Sequence, residues 1–143
     1  MDAYVVEPQS LFVPFLSDVL AGAQMRVVRF ATTLDIEDIR STGPQALFID
    51  TDFLEMDAAD AVRATRAALP LALICAYSDE EAAPAEHLRF AGANCVLSKR
   101  LNPRQFKESL RSAQREITRP GSHLETVSGE FNTGGDVLRG RGA

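Results

Sequence analysis

The sequence has few of the residues that build metal sites and disulfide frameworks. It contains two cysteines, Cys75 and Cys95, and two histidines, His87 and His123. These four residues are too few and too widely spaced for a zinc motif, and two cysteines do not make a disulfide framework. We expect two reduced, buried thiols, because free cysteine is among the most buried residue types. We place Cys75 near the end of one strand and Cys95 near the start of the next, farther apart than the ~4.4–6.8 Å that a disulfide spans between Cα atoms.

Positive charge and long apolar runs are also scarce. The chain has 15 lysines and arginines against 20 aspartates and glutamates, a formal net charge of −5. This balance argues against general binding to a phosphate backbone, which requires a basic surface. No run approaches the ~18 apolar residues that span a bilayer, and the N-terminus lacks the basic and apolar regions of a signal peptide. We therefore expect a cytoplasmic protein with no direct nucleic-acid or membrane partner.

What the chain does have is an alternation of apolar, strand-like runs with segments of helical period. Of its 143 residues, 45% are hydrophobic, which is enough for one compact domain with a core. The alternation predicts strands at 3–6, 25–30, 46–49, 71–77 and 95–98, and helices at 10–22, 33–41, 57–69, 78–93 and 102–117. We predict one folded domain over 1–118 and a mostly irregular C-terminal tail over 119–143, where large apolar residues become rare.

The composition of the strands predicts how the sheet is built. Continuously apolar strands indicate burial on both faces, which is typical of a parallel sheet covered by helices. Right-handed crossovers leave few topologies, so we predict an α/β, flavodoxin-like (βα)5 doubly wound fold with strand order 2-1-3-4-5. Ser10, Ser78 and Asn102 are the predicted caps of the first, fourth and fifth helices, and Leu11 is expected on the buried face of the first.

Polar residues stand at the carboxyl ends of the predicted strands, where open α/β sheets gather their functional groups. Glu7 follows the first strand, Asp50 and Asp52 the third, and Lys99 the fifth. Cys75 lies in the last part of the fourth. We expect these side chains to converge on one edge of the sheet, where a lysine can neutralise an aspartate or hold an anion attached to it.

From residue 3 to residue 117 the chain resembles a response-regulator receiver domain of the CheY-like family. The segments that carry the resemblance are VVEP, PQALFIDTDFLEMDA, LPLALICAYSDEE and AGANCVLSKRLNP. The resemblance implies that Asp50 is a phosphoacceptor served by magnesium, and that Lys99 pairs with the phosphoryl oxygens. It also implies that Cys75 stands at the position of the switch hydroxyl, and Val96 at that of the switch aromatic.

Several of these helper positions depart from the family pattern. Pro8 replaces one of the two acids that follow the first strand, Cys75 is a weak donor, and Val96 has no ring. Losing one acid ~4 Å from a metal forfeits a gross attraction of about 4 kcal/mol at an effective dielectric near 20.

The departures lower the expected affinity for metal. We expect magnesium binding to be weak or absent, with Glu7, Asp50 and Asp52 as the candidate ligands, and we expect no other cofactor. Asp52 is interpreted as a loop acid, with replacement of the lost ligand as the alternative. For Glu7, a capping or solvated carboxylate remains open beside the metal-ligand role.

The favoured interpretation is a stand-alone atypical receiver, or pseudo-receiver, that acts in two-component-type signalling through protein–protein interaction and is not an enzyme. The expected partner is a signalling protein: a histidine kinase, a phosphotransferase or a downstream target. We expect a protein partner because the segment after the domain is too short for a DNA-binding helix pair, and a homodimer through the same face is also considered. Leu88, Phe90 and Val96 are the predicted apolar contacts, on the face formed by the fourth helix, fifth strand and fifth helix.

Two alternatives remain at this point. One is a functional single-domain response regulator that a histidine kinase phosphorylates on Asp50. The other is a flavodoxin-like nucleotide-binding protein. The second requires a glycine-rich phosphate loop after the first strand, and the segment VVEPQSLF has none.

Overall fold

A computed structural model of the chain describes residues 1–79 and 84–118. The predicted tail over 119–143 lies outside the described residues, as does the start of the predicted fourth helix at 80–83. The chain divides into two units, and the site discussed below lies in the first, Met1–Ala113. Within the described ranges, no helix has both the length and the apolar character that a membrane crossing requires.

Five strands form one parallel sheet in the order β2-β1-β3-β4-β5, which confirms the predicted topology. The strands are β1 (Asp2–Val6), β2 (Arg26–Ala31), β3 (Ala46–Asp50), β4 (Leu73–Ser78) and β5 (Cys95–Ser98). The helices between and after them are α1 (Val13–Gly22), α2 (Ile36–Thr42), α3 (Ala58–Ala68), α4 (Ala85–Ala91) and α5 (Pro103–Thr118).

The central strands are buried because helices cover both faces of the sheet. Every residue of β3 and β4 is buried, whereas the edge strand β2 is largely exposed. On one face, Phe106 of α5 packs against Phe48 and Tyr77, with ring centroids 5.7 Å and 5.4 Å apart. Side chains alternate between faces along a strand, so Asp50, two residues after Phe48, shares this face. The aromatic cluster of Phe48, Tyr77 and Phe106 therefore lies on the same face of the sheet as Asp50, next to the carboxyl edge.

The helix starts differ from prediction in two places. Ser10 does not cap α1, because a short 3-10 turn over Ser10–Phe12 comes first and α1 begins at Val13, with no side-chain cap in this segment. The turn directs Leu11 outward, and it is 89% exposed, so the prediction that it is buried was wrong. Ser78 is the last residue of β4 and cannot cap α4, which begins after Pro84.

The predicted cap of α5 is confirmed. The Asn102 side-chain oxygen accepts a hydrogen bond from the Gln105 backbone N–H at 2.9 Å. In return, the Gln105 side-chain oxygen accepts from the Asn102 N–H at 3.0 Å. This reciprocal pair is a capping box, which satisfies two backbone donors at the helix start.

The placement of the two cysteines corrects the sequence analysis. Cys75 in β4 and Cys95 in β5 are direct register partners, not residues at opposite ends of neighbouring strands. The error came from the register: β4 begins at Leu73 rather than residue 71, so Cys75 is its third residue and lies opposite the first residue of β5. Both thiols are free and buried, as expected.

A partly buried arginine that the sequence analysis did not single out holds two loops together. Arg66 of α3 donates to Asn94 and to four backbone carbonyls, those of Leu69, Pro70, Ala72 and Gly92. Gly92 has φ +129°, and a Cβ there would lie 2.9 Å from the Cβ of Arg66. The arginine therefore holds the end of α3, the start of β4 and the start of β5 in position.

Candidate functional site

The centre of the carboxyl edge is the ammonium group of Lys99, which follows β5. Its Nζ lies 2.8 Å and 2.9 Å from the two carboxylate oxygens of Asp50, and 2.8 Å from Oδ2 of Asp52. An ammonium has three donors, and these contacts can use all of them. Burial opposes the charged lysine, but the hydrogen bonds to the two aspartates outweigh it and raise the pKa of Lys99.

The two aspartates are held in place by the backbone as well as by the lysine. Asp50, at the end of β3, is fully buried and its Oδ1 also accepts from the Asp52 N–H at 3.1 Å. The Asp52 carboxylate accepts from the Asp79 N–H at 3.0 Å and 3.2 Å. Asp52 therefore links the loop after β3 to the residue that follows β4, and is more than a solvated loop acid.

Glu7 is a neighbour of Asp50 and is 1% exposed, so it is not a solvated carboxylate. Its Oε2 accepts from the Gln9 N–H at 3.1 Å, while Oε1 has no donor among the described residues. Burial, and then a hydrogen bond with Asp50, raise the pKa of Glu7 to about 8. A pKa of about 8 means that the acid form of Glu7 predominates at neutral pH.

Three aromatic rings surround the Lys99 ammonium, and the sequence analysis missed them. The Nζ atom lies 5.7 Å from the ring centroid of Phe12, 5.0 Å from that of Phe53 and 5.1 Å from that of Tyr77. Each distance is within the ~6 Å range of cation–π attraction. Phe12 comes from the 3-10 turn before α1 and Phe53 from the loop after β3, so neither stood out in a strand or helix pattern. Together the rings cover the ammonium where the carboxylates do not.

Cys75 is not brought to this site. Its register partner on β3 is Phe48, and the residue level with Asp50 is Tyr77. Cys75 is thus two residues, or roughly 6–7 Å, back along the strand. Val96 pairs with Ala76 and packs against the core cluster on the α3–α4 side of the sheet.

The predicted apolar contacts for a partner divide into two groups. Phe90 is 93% exposed, so it is available at the surface of α4. Leu88 is 1% exposed and belongs to the core cluster, because it lies on the side of α4 that packs on the sheet. Leu88 is therefore not a surface contact, and Val96 is only partly exposed.

Comparison with known proteins gives similar structures without similar sequences. No family model matches the chain, and no curated protein matches it significantly in sequence. The response regulator domain of Thermotoga maritima CheB is 20% identical, with a TM-score of 0.67 over 82% of this chain and 96% of that one. This chain has the CheY-like receiver fold.

Two further receiver structures agree. The CheY-like receiver domain protein of Methanospirillum hungatei JF-1 is 16% identical, with a TM-score of 0.64 over 80% of this chain and 97% of that one. The REC domain of AraT, a response regulator of Geobacillus stearothermophilus, is 16% identical, with a TM-score of 0.68 over 81% and 94% of the two chains. Identities of this size establish the fold alone, so the activity has to be argued from the residues at the carboxyl edge.

Proposed function

We propose that the protein is a pseudo-receiver: a module with the receiver fold that signals by binding another protein and does not depend on magnesium-assisted phosphorylation. The receiver fold itself points to two-component-type signalling. The single observation that carries the finer proposal is the Lys99 ammonium, which binds Asp50 and Asp52 at 2.8 Å each. The lysine neutralises part of the negative charge of both acids from within the chain, at a place where the receiver resemblance implies a magnesium ion as well.

The residues at the carboxyl edge do not fit a magnesium ion as they are arranged. Magnesium requires near-octahedral oxygen ligands at about 2.0–2.1 Å. Both oxygens of Asp50 and one of Asp52 already accept from the ammonium. Pro8 offers no side-chain ligand atom. In the described part of the chain, no group of three or more histidine, cysteine, aspartate or glutamate side chains is placed to share a metal ion.

Protonation of Glu7 adds to this barrier. Its pKa of about 8 means that a cation which needs the carboxylate form must first displace a proton at pH 7. One pKa unit corresponds to about 1.4 kcal/mol, or a tenfold loss of affinity. Displacing the Lys99 ammonium from two carboxylates costs more free energy than displacing the Glu7 proton, because the contacts of the ammonium are largely buried.

The position of Asp50 also opposes phosphoryl transfer. A carboxylate nucleophile must present a lone pair to the donor, but the Asp50 side chain is fully buried. Its oxygens are bonded to Lys99 and to the Asp52 N–H. We therefore assign Asp50 and Lys99 a structural role, in which they fix the loops around the carboxyl edge as a constant surface for a partner.

The partner is proposed to be a signalling protein, such as a histidine kinase, a phosphotransferase or a downstream target. The surface that supports this is the exposed side of α4, where Phe90 stands out at 93% exposure. A nucleotide-binding role has no support at the usual place, because residues 7–21 contain no glycine to build a phosphate loop.

The test is phosphorylation by acetyl phosphate with excess magnesium, followed by intact mass. The wild type and Asp50→Asn are treated in parallel, with an active receiver domain as the positive control for the reagent. The proposal predicts no adduct on the wild type under conditions that fully modify the control. A stoichiometric, acid-labile phosphate that is absent from Asp50→Asn would instead establish a working response regulator.

A further inference from the structure

The two cysteines of this chain lie opposite each other, on neighbouring strands. Of 143 residues only Cys75 and Cys95 carry thiols, and they are register partners in the parallel pair β4–β5. Register partners in a parallel pair point to the same face of the sheet. Neither thiol takes part in the cluster of Lys99, Asp50 and Asp52, so the pairing is not explained by that site.

The two thiols interact and are chemically unequal. The hydrogen bond from the Cys75 thiol lowers the pKa of Cys95, assisted by the nearby charge of Arg89 and opposed by burial. The same interaction, with burial, raises the pKa of Cys75. Cys95 is also the more accessible, at 8% exposure against 1% for Cys75. The thiolate is the reactive form of cysteine, so Cys95 is the residue that an oxidant meets first.

We propose that Cys75 and Cys95 form an intramolecular disulfide when the protein meets a peroxide. Neighbouring strands lie about 4.7–4.9 Å apart, within the ~4.4–6.8 Å Cα separation that disulfides span. The short distance between the strands means that the bond can form without either strand leaving the sheet.

The chemistry proceeds in two balanced steps. The Cys95 thiolate attacks one oxygen of hydrogen peroxide, the O–O bond breaks, and a sulfenic acid forms while the leaving hydroxide takes up a proton as water. The Cys75 sulfur then attacks the Cys95 sulfur, the S–O bond breaks, and a second water leaves with the Cys75 proton. Overall the two thiols lose two electrons and two protons, and one peroxide becomes two waters.

The bond would join the two strands that lead to the lysine cluster. Tyr77 lies two residues after Cys75 on β4, and Lys99 follows the end of β5. Oxidation would therefore hold the spacing between Tyr77 and Lys99 fixed, without adding a group to either.

The experiment treats the full chain with increasing hydrogen peroxide, quenches in acid, denatures and alkylates the remaining thiols before intact mass. The expected result is that both alkylation sites disappear together and return together after a dithiol reductant. Peptide mapping should then show a single Cys75–Cys95 linkage, and a non-reducing gel should show a monomer. The oxidised form should also unfold at a higher urea concentration than the reduced form.

Two single variants provide the controls. In Cys75→Ser, the Cys95 sulfenic acid has no partner and should be trapped by dimedone. In Cys95→Ser, the more buried Cys75 should stay alkylatable over the same peroxide range. The proposal is overturned if the wild type keeps both thiols across this range, if they end as separate sulfinic acids, or if the only disulfides formed join two copies of the chain.

Discussion

Replacing Lys99 by methionine is the sharpest perturbation of the carboxyl edge. Methionine keeps the length of the stem and its contacts with the aromatic rings, but removes the charge. Each Lys99–carboxylate contact at 2.8 Å corresponds to a gross Coulomb attraction of about 6 kcal/mol at an effective dielectric of 20. The cost of burying the charges cancels much of this in the wild type. In the variant that cost remains for the aspartates and nothing offsets it.

The expected loss of unfolding free energy for Lys99→Met is therefore about 3–5 kcal/mol, the range for breaking a buried ion pair by removing one partner. The matched control is Arg63→Met, which breaks an ion pair of similar length, 2.7 Å, whose side chains are 55% and 61% exposed. Exposed pairs of this kind contribute about 0.3–0.5 kcal/mol. Urea unfolding followed by circular dichroism measures both.

A double variant separates the charge effect from a packing effect. Adding Asp50→Asn to Lys99→Met removes one of the carboxylates left without a cation, and should recover a substantial part of the lost stability. The two changes should thus show a coupling energy of at least about 1 kcal/mol, as contacting residues do. The reasoning is refuted if Lys99→Met costs no more than Arg63→Met, or if the two changes at the cluster are additive.

Three further changes test other parts of the structure. Because the pKa of Glu7 is raised from 4.5 to about 8, the folded protein holds one more proton than the unfolded chain between these values, so stability should fall as pH rises across them. Glu7→Gln should abolish this fall of the unfolding free energy with pH, which in the wild type is up to about 1.4 kcal/mol per pH unit. Urea unfolding from pH 5 to pH 8.5 measures it. Arg66→Ala should lower the unfolding free energy by about 2–4 kcal/mol, because it removes hydrogen bonds to four carbonyls, most of them partly buried. Thermal unfolding measures the loss, and a value below about 0.5 kcal/mol would count against the role assigned to this arginine. Asn102→Ala should cost about 1 kcal/mol through loss of the cap of α5, with Asn102→Asp nearly neutral in the same assay.

The sheet was predictable because its signal is repeated. Five apolar runs of strand length, each followed by a helical segment, leave little choice of topology. The cap at Asn102 was predictable for a local reason, since a capping residue and its partner are three positions apart. The placement of Asp50 and Lys99 at one edge followed from the topology, because parallel strands end together.

The features that the sequence did not predict depend on strand register and on which side chains are buried in the folded chain. Cys75 and Cys95 are register partners because β4 begins at Leu73. The predicted start at residue 71 was two residues too early, which was enough to misplace the pair. The bond from Lys99 to Asp52 requires the path of the loop after β3, which no periodic pattern encodes. The proton on Glu7 arises from burial beside Asp50, and composition carries no information on burial at a single position.

The most direct test of the central claim is a magnesium titration followed by NMR of the backbone amides at residues 50, 52 and 99. The wild type is compared with the variant Glu7→Asp/Pro8→Asp, which restores two short acids after β1. Because the Lys99 ammonium and the Glu7 proton neutralise the site in the wild type, these amides should not shift at millimolar magnesium, whereas the variant should respond. Saturable shifts at these amides in the wild type, with one ion bound per chain, would contradict the account.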